Sequence, residues 1–156
     1  MAGPVVLTLG SWAEKHLREV LEAKTRRAFD DAFDGFVPPH VAIAVNGAHT
    51  SRAEFKRLLW RDEEAESSAR VAFKGVVEVP KRRDEIIQVG EVGLFFEAKL
   101  HRGALLFDND ITASMNLVVK AIKPRRDDDG KDFDGRQATE INMVFTDVPS
   151  NVEREY

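Results

Sequence analysis

The chain of 156 residues has no cysteine, a single tyrosine and two tryptophans. Without cysteine there are no disulfides, no thiolate nucleophile and no Cys-ligated zinc or iron–sulfur centre, which suits a reducing compartment, so a cytoplasmic location is expected. No apolar run reaches the roughly 18 residues of a membrane span, and Pro4 to Gly10 is too short for a targeting leader, so no membrane association is expected. Charge of one sign is also scarce: 23 Lys+Arg stand against 27 Asp+Glu, a net −4 that argues against broad binding to nucleic acid. The best basic patches, Lys81-Arg82-Arg83 and Arg125-Arg126, sit at expected turns, lack interleaved aromatics and run into acids. No nucleic-acid partner is expected. His16, His40, His49 and His101 show no H-x-x-x-H or H-E-x-x-H spacing, so no metal is expected, and no phosphate-binding glycine loop calls for a cofactor. What is present is enough apolar sequence, in a chain of this length, to bury about two-thirds of the unfolded surface without a staple.

From Ser11 the sequence reads as a long amphipathic helix, or two joined ones. Ser11 is an N-cap candidate with Glu14 at the capping-box position, and Trp12, Leu17, Val20, Leu21, Ala28 and Phe29 recur at helical spacing. The pattern runs through Ala32 and Phe33 to Gly35, before Pro38 and Pro39, with a bend expected near Asp30 and Asp31. His40 to Val45 reads as a short strand closed by the turn pair Asn46-Gly47. Ser51, with Glu54 three residues on, opens a second helix carrying Phe55, Leu58 and Leu59, expected to end within Asp62 to Glu66.

After Ser67 the period changes to two. Ala69 to Val79 places Val71, Phe73, Val77 and Val79 on one parity and stops at Pro80 and the charged hairpin Lys81 to Glu85. Ile86 to His101 alternates Val92, Leu94, Phe96, Ala98 and Leu100 with Glu91, Glu97, Lys99 and His101. Ile111 to Ile122 alternates Ile111, Ala113, Met115, Leu117, Val119 and Ala121 with polar residues such as Thr112, Ser114, Asn116 and Lys120, and Ile141, Met143 and Phe145 alternate with Glu140, Asn142 and Thr146. The reading is a single α+β domain over residues 11–149, with residues 1–10 as an N-terminal extension and 150–156 as a charged tail. N-terminal helices pack on a curved antiparallel sheet, a conical cystatin-like roll.

A long helix, then His40-Val41-Ala42-Ile43-Ala44-Val45-Asn46-Gly47, then Ser51-Arg52-Ala53-Glu54-Phe55-Lys56 and four long strands resembles the nuclear transport factor two-like superfamily, and within it the SnoaL-like branch. The resemblance spans roughly Trp12 to Val148. It implies a pocket between sheet and helices and often a homodimer, in a fold that hosts isomerases, dehydratases, polyketide cyclases, epoxide hydrolases and non-catalytic dimerisation modules.

The chemistry departs from the best-known relatives. Members similar to ketosteroid isomerase use a carboxylate or histidine base and acidic donors, often Tyr, in an apolar cavity. Here the only tyrosine is Tyr156, and Ala42, Ile43, Ala44 and Val45 stand where such a base would be expected. The apolar row Leu94, Phe96, Met115, Met143 and Phe145, closed by Trp12 and Phe33, is the candidate lining for an apolar ligand; the same row would equally serve as core. Glu97, Asn116 and Asn142 share the opposite parity and would converge only if that face lined the cavity. Asp30, Asp31 and Asp34 beside Arg26 and Arg27 read as a solvated face, and His40 and His49 as surface or capping residues. Asp127 to Gly135 lacks EF-hand spacing, since Arg125 and Arg136 would fall at the first and twelfth ligand positions, and reads as a hairpin loop. The functional expectation is a homodimeric binder of an apolar or polycyclic small molecule, with a cofactor-independent isomerase, cyclase or dehydratase activity in view; a non-catalytic homodimerisation or protein-binding module is the alternative.

Overall fold

The computed structural model describes residues 6–60, 67–102, 107–122 and 134–149. It is an α+β fold. Three helices, α1 (Leu9–Leu21), α2 (Arg26–Phe36) and α3 (Arg52–Leu59), accompany six strands: β1 (Ala42–Val45), β2 (Ala48–Thr50), β3 (Ser67–Pro80), β4 (Gly90–Arg102), β5 (Phe107–Ala121) and β6 (Arg136–Pro149). The strands form one curved sheet in the order β2-β1-β6-β5-β4-β3, antiparallel except where β1 runs parallel to β6.

The helical segment is two helices, and the caps explain why. Thr8, one turn before the expected Ser11, caps α1, its hydroxyl accepting from the Ser11 N–H. The chain breaks at residues 22–25 rather than near Asp30, because the Thr25 hydroxyl accepts from the Ala28 N–H and starts a second helix there. Gly35 lies inside α2, which ends at Phe36. The start of α3 follows the sequence: the Ser51 hydroxyl accepts from the Glu54 N–H at 3.1 Å. Its end comes at Leu59, and the acidic stretch 62–66 lies outside the described residues. Asn46 (φ 49°) and Gly47 (φ 80°) make the tight turn between β1 and β2, a second short strand the sequence reading did not separate from the turn. The Asn46 side chain then accepts from the Phe145 N–H at 2.9 Å, tying this hairpin to β6.

All the buried apolar side chains of the sheet face the helices. Val92, Leu94, Phe96 and Ala98 from β4, Ala113, Met115, Leu117 and Val119 from β5, and Ile141 and Met143 from β6 form one core with Trp12, Leu17, Phe29, Phe33, Phe36 and Phe55. This row is therefore the helix-covered face, and Glu97, Asn116 and Asn142 lie on the opposite one, which among the described residues no helix covers.

In β3 the expected single parity fails. The register with β4 slips between Phe73 and Gly75, leaving Lys74 as an extra residue. Val71 and Phe73 still face the helices, but beyond the bulge every side chain changes side. Val77 and Val79 emerge on the uncovered face, 66 % and 56 % exposed. Glu78 turns inward, where its carboxylate accepts from the Gly10 N–H at the start of α1. The outer edge of β3 is partly sealed as well: the Val71 N–H donates to Glu22 at 2.9 Å and its carbonyl accepts from Arg18 at 3.0 Å.

Candidate functional site: a hollow on the helix-free sheet face

The registers assemble one row across all six strands: Val77 beside Gly93, then Asn116, Asn142, Ala44 and His49. The adjoining row is Val79, Glu91, Val118, Glu140 and Ala42. Small residues at Gly93, Ala42 and Ala44 lower the floor, while Val77, Val79 and His49 stand at its margins. The result is an open hollow of about 700 Å³. Gly93 matters for a specific reason: a β-carbon there would lie 3.2 Å from the Asn116 side-chain oxygen and 3.9 Å from Val77, inside the hollow. The lining is mostly apolar, with two carboxamides on its floor, a size and composition suited to a small organic ligand.

Two carboxylates give the hollow its charge. Glu91 and Glu140 both stand opposite Val118, one on each neighbouring strand, so their backbones lie about 10 Å apart at ordinary strand spacing. Neither has an ion-pair or side-chain hydrogen-bond partner among the described residues, and the lining contains no Lys or Arg. The third titratable group there is His49, exposed on β2.

The seven residues expected to line a ligand pocket come together, but as core. Trp12, Phe33, Leu94, Phe96, Met115 and Met143 are each at most 4 % exposed, and Phe145 packs half-buried against them. None of them lines the hollow. Trp12 lies against Phe36 at 5.7 Å between ring centroids, Phe33 against Phe29 at 5.8 Å, and Phe96 against Phe73 at 5.9 Å. Among the polar candidates, Asn116 and Asn142 are direct cross-strand neighbours. Glu97 does not join them. It pairs in register with Thr112, about 13 Å along β5 from Asn116, and lies 4.0 Å from Lys74. Glu91 and Glu140 occupy the position a converging carboxylate would need. Their strand parity was visible in the sequence, but their adjacency depends on register, which was not.

Asp30 and Asp34 are tied down by cations, Asp30 to Arg26 and Lys56 at 3.0 and 3.1 Å, and Asp34 to Arg52 at 2.9 Å. Burial pulls the Asp30 carboxyl upward, but hydrogen bonding and attraction from Lys56 and Arg26 prevail and hold it below its ordinary value. His40 is exposed. The side chain of His101, the segment 123–133 containing most of the acidic loop, and Tyr156 lie outside the described residues. A second hollow of about 550 Å³ opens between α1 and α2, beside His16, Glu19, Glu22, Ala28 and Asp31. Burial against Trp12 holds the His16 imidazole below its ordinary pKa. Among the described residues no three His, Asp or Glu side chains are placed to hold a metal ion, and no helix is long and apolar enough to cross a membrane.

No protein-family model matches the chain, and no curated protein matches it. Solved structures do. A conserved protein from Planctomyces limnophilus DSM 3776 superposes with a TM-score of 0.55 at 12 % identity, over 87 % of this chain and 94 % of its own. The structure named "Putative Isomerase from Rhodopseudomonas palustris" gives a TM-score of 0.55 at 9 % identity, over 88 % of this chain and 91 % of its own. At these identities the shared property is the fold, matched over nearly the full length of both neighbours.

Proposed function

We propose that the chain is a SnoaL-like member of the nuclear transport factor two-like superfamily and binds a small molecule with an apolar body on the helix-free face of its sheet. The family assignment rests on the sequence resemblance alone. The binding assignment departs from the pocket between sheet and helices which that resemblance implies, and is carried by the hollow of about 700 Å³ whose floor joins Gly93, Val118 and Ala44 to the paired carboxamides of Asn116 and Asn142. Apolar walls supply affinity through buried area, and the amides fix orientation. The helix-covered face, by contrast, spends its aromatic row on packing. The fold likeness to a neighbour named as an isomerase keeps cofactor-independent isomerisation, cyclisation or dehydration in view. Among the described residues the acid–base groups lining the hollow are Glu91, Glu140 and His49, so such chemistry would run through them. A fragment titration followed through the side-chain amide NMR signals of Asn116 and Asn142 tests the binding step. Saturable shifts that vanish in Gly93→Val, which fills the floor, are expected; shifts confined to core residues would overturn the assignment.

A specific observation favours a second reading, homodimerisation through the same face. Val77, Phe95 and Val144 are 66 %, 45 % and 58 % exposed there, an apolar strip of the kind that marks an interface. The two readings compete for one surface and are separated by molecular mass in solution with and without bound fragment.

A further inference from the structure

Within the reading of the hollow as a ligand site, we propose that its ligand is an organic cation: a compact apolar body carrying an ammonium or comparable positive group. Glu91 and Glu140 flank the apolar side chain of Val118 from the two neighbouring strands. Both carboxylates lack an ion-pair partner among the described residues, Lys120 on the same face of β5 two residues past Val118 included, although Lys15, Lys56 and Lys74 pair with acids elsewhere. The nearest polar floor groups are Asn116 and Asn142, whose side-chain oxygens accept N–H donors, and the Asn116 oxygen is directed over Gly93 into the hollow. Both carboxylates are exposed, so a neutral apolar guest gains nothing from them, and an anion would be repelled by both. A cation seated above Val118 meets attraction from either side and apolar contact below.

The test uses three probes of similar size at neutral pH: benzylamine as its ammonium ion, benzyl alcohol and benzoate. Each is titrated against the whole chain with the Asn116 and Asn142 side-chain amides as the readout. The ammonium ion is expected to bind about tenfold tighter than the alcohol, the gain two partly exposed carboxylates supply, and benzoate weakest. Raising salt from about 20 to about 300 mM should erode the ammonium affinity and leave that of the alcohol unchanged. Glu91→Gln with Glu140→Gln should bring the ammonium ion down to the alcohol while the alcohol stays where it was. Equal affinities for amine and alcohol, or a preference that survives the double substitution, would overturn the cation assignment and leave the hollow as a ligand site. Failure of all three probes to shift either amide would instead remove the site reading itself.

Discussion

The carboxylate of Glu78 on β3 accepts a hydrogen bond from the backbone N–H of Gly10, the second residue of α1. This meeting exists because Lys74 is bulged: were Lys74 paired in regular alternation, Glu78 would point away from the helices and Val77 and Val79 would point toward them. The contact satisfies one of the unpaired N–H groups of the first helical turn and sets a negative charge against the positive end of the helix, while Gln88 accepts from the neighbouring Leu9 N–H at 3.2 Å. Glu78→Ala should therefore lower stability by about 1–2 kcal/mol in chemical denaturation, and Glu78→Gln by about half of that. Deleting Lys74 should cost less than Glu78→Ala, because Phe73 then adjoins Gly75 in regular alternation and every residue from Gly75 to Pro80 keeps its β4 partner and its face.

At the same end of the core Arg136 is 1 % exposed and its guanidinium reaches Asp134 at 2.7 and 2.8 Å, the Gln88 carbonyl at 3.3 Å and the face of Trp12 at 5.6 Å. One cation thus fastens the start of β6 to the residues leading into β4 and to α1. Asp134→Asn leaves the buried guanidinium without its counter-charge and should destabilise the fold by about 2–3 kcal/mol, less than for a fully buried pair because Asp134 retains some solvent. Thermal unfolding should show a drop of roughly 5–10 °C.

The aromatic row can be probed by truncation. Met115 is fully buried between Leu94 on β4 and Met143 on β6, its direct neighbours in register. If this row is close-packed, Met115→Ala should cost about 2–5 kcal/mol. Loss of under about 1 kcal/mol would mean that the methionine already borders empty space, and would return the ligand site to the interior of the cone.

The strand alternation in Val92 to Leu100, Ile111 to Ala121 and Ile141 to Phe145 was legible in the sequence because a half-buried sheet writes its two faces as two parities. The same logic located the Ser51 cap, where hydroxyl and spacing agree. It failed where one local choice depends on a distant partner. Thr8 prevails over Ser11 because the first turn of α1 must meet Glu78 and Gln88, some 70 to 80 residues along the chain. The Lys74 bulge has no period of its own, so Val77 and Val79 read as core by parity and emerge as the wall of the hollow. Register has the same character: Asn116 and Asn142 could be placed on one face from sequence, but only pairing decides that Glu91 and Glu140, not Glu97, accompany them.

Two ionisable groups set a pH dependence in separate windows. His16 is held below its ordinary value of 6.5, first by burial and also by Lys15 and Arg136, against opposing attraction from Glu19 and Asp134. The unfolded chain then binds the proton more readily than the folded one, so stability present above pH 6.5 is lost as pH falls below it. His16→Gln should flatten this part of the profile in denaturation at a series of pH values. The Asp30 carboxyl, held below 3.8 by Lys56 and Arg26, contributes stability that is present above 3.8 and lost only as pH falls through its folded value. Lys56→Met should remove most of that acid-limb dependence without altering the step near neutrality.

The dimer reading makes a geometric prediction of its own. On the face of β4 that carries the hollow the outward positions run Glu91, Gly93, Phe95, Glu97, Lys99, with Phe95 at the centre. Lys99 lies in register between Arg70 of β3 and Asp110 of β5, so one end of the face carries the carboxylates Glu91 and Glu140 and the other two cations with one carboxylate. A two-fold axis lying across the strands at Phe95 brings Glu91 of one copy against Lys99 of the other and buries Phe95 and Val144 between them, whereas an axis along the strands would set Glu91 against Glu91. Light scattering at micromolar concentration should then report twice 17.5 kDa. Phe95→Glu should shift the population to monomer. Glu91→Lys alone should weaken association about threefold to tenfold, and adding Lys99→Glu should restore it, because the swapped pair is again opposite in sign. A mass of 17.5 kDa at every concentration would dismiss the dimer. A dimer indifferent to Phe95→Glu would move the contact to another surface and leave the hollow open to solvent and to its ligand.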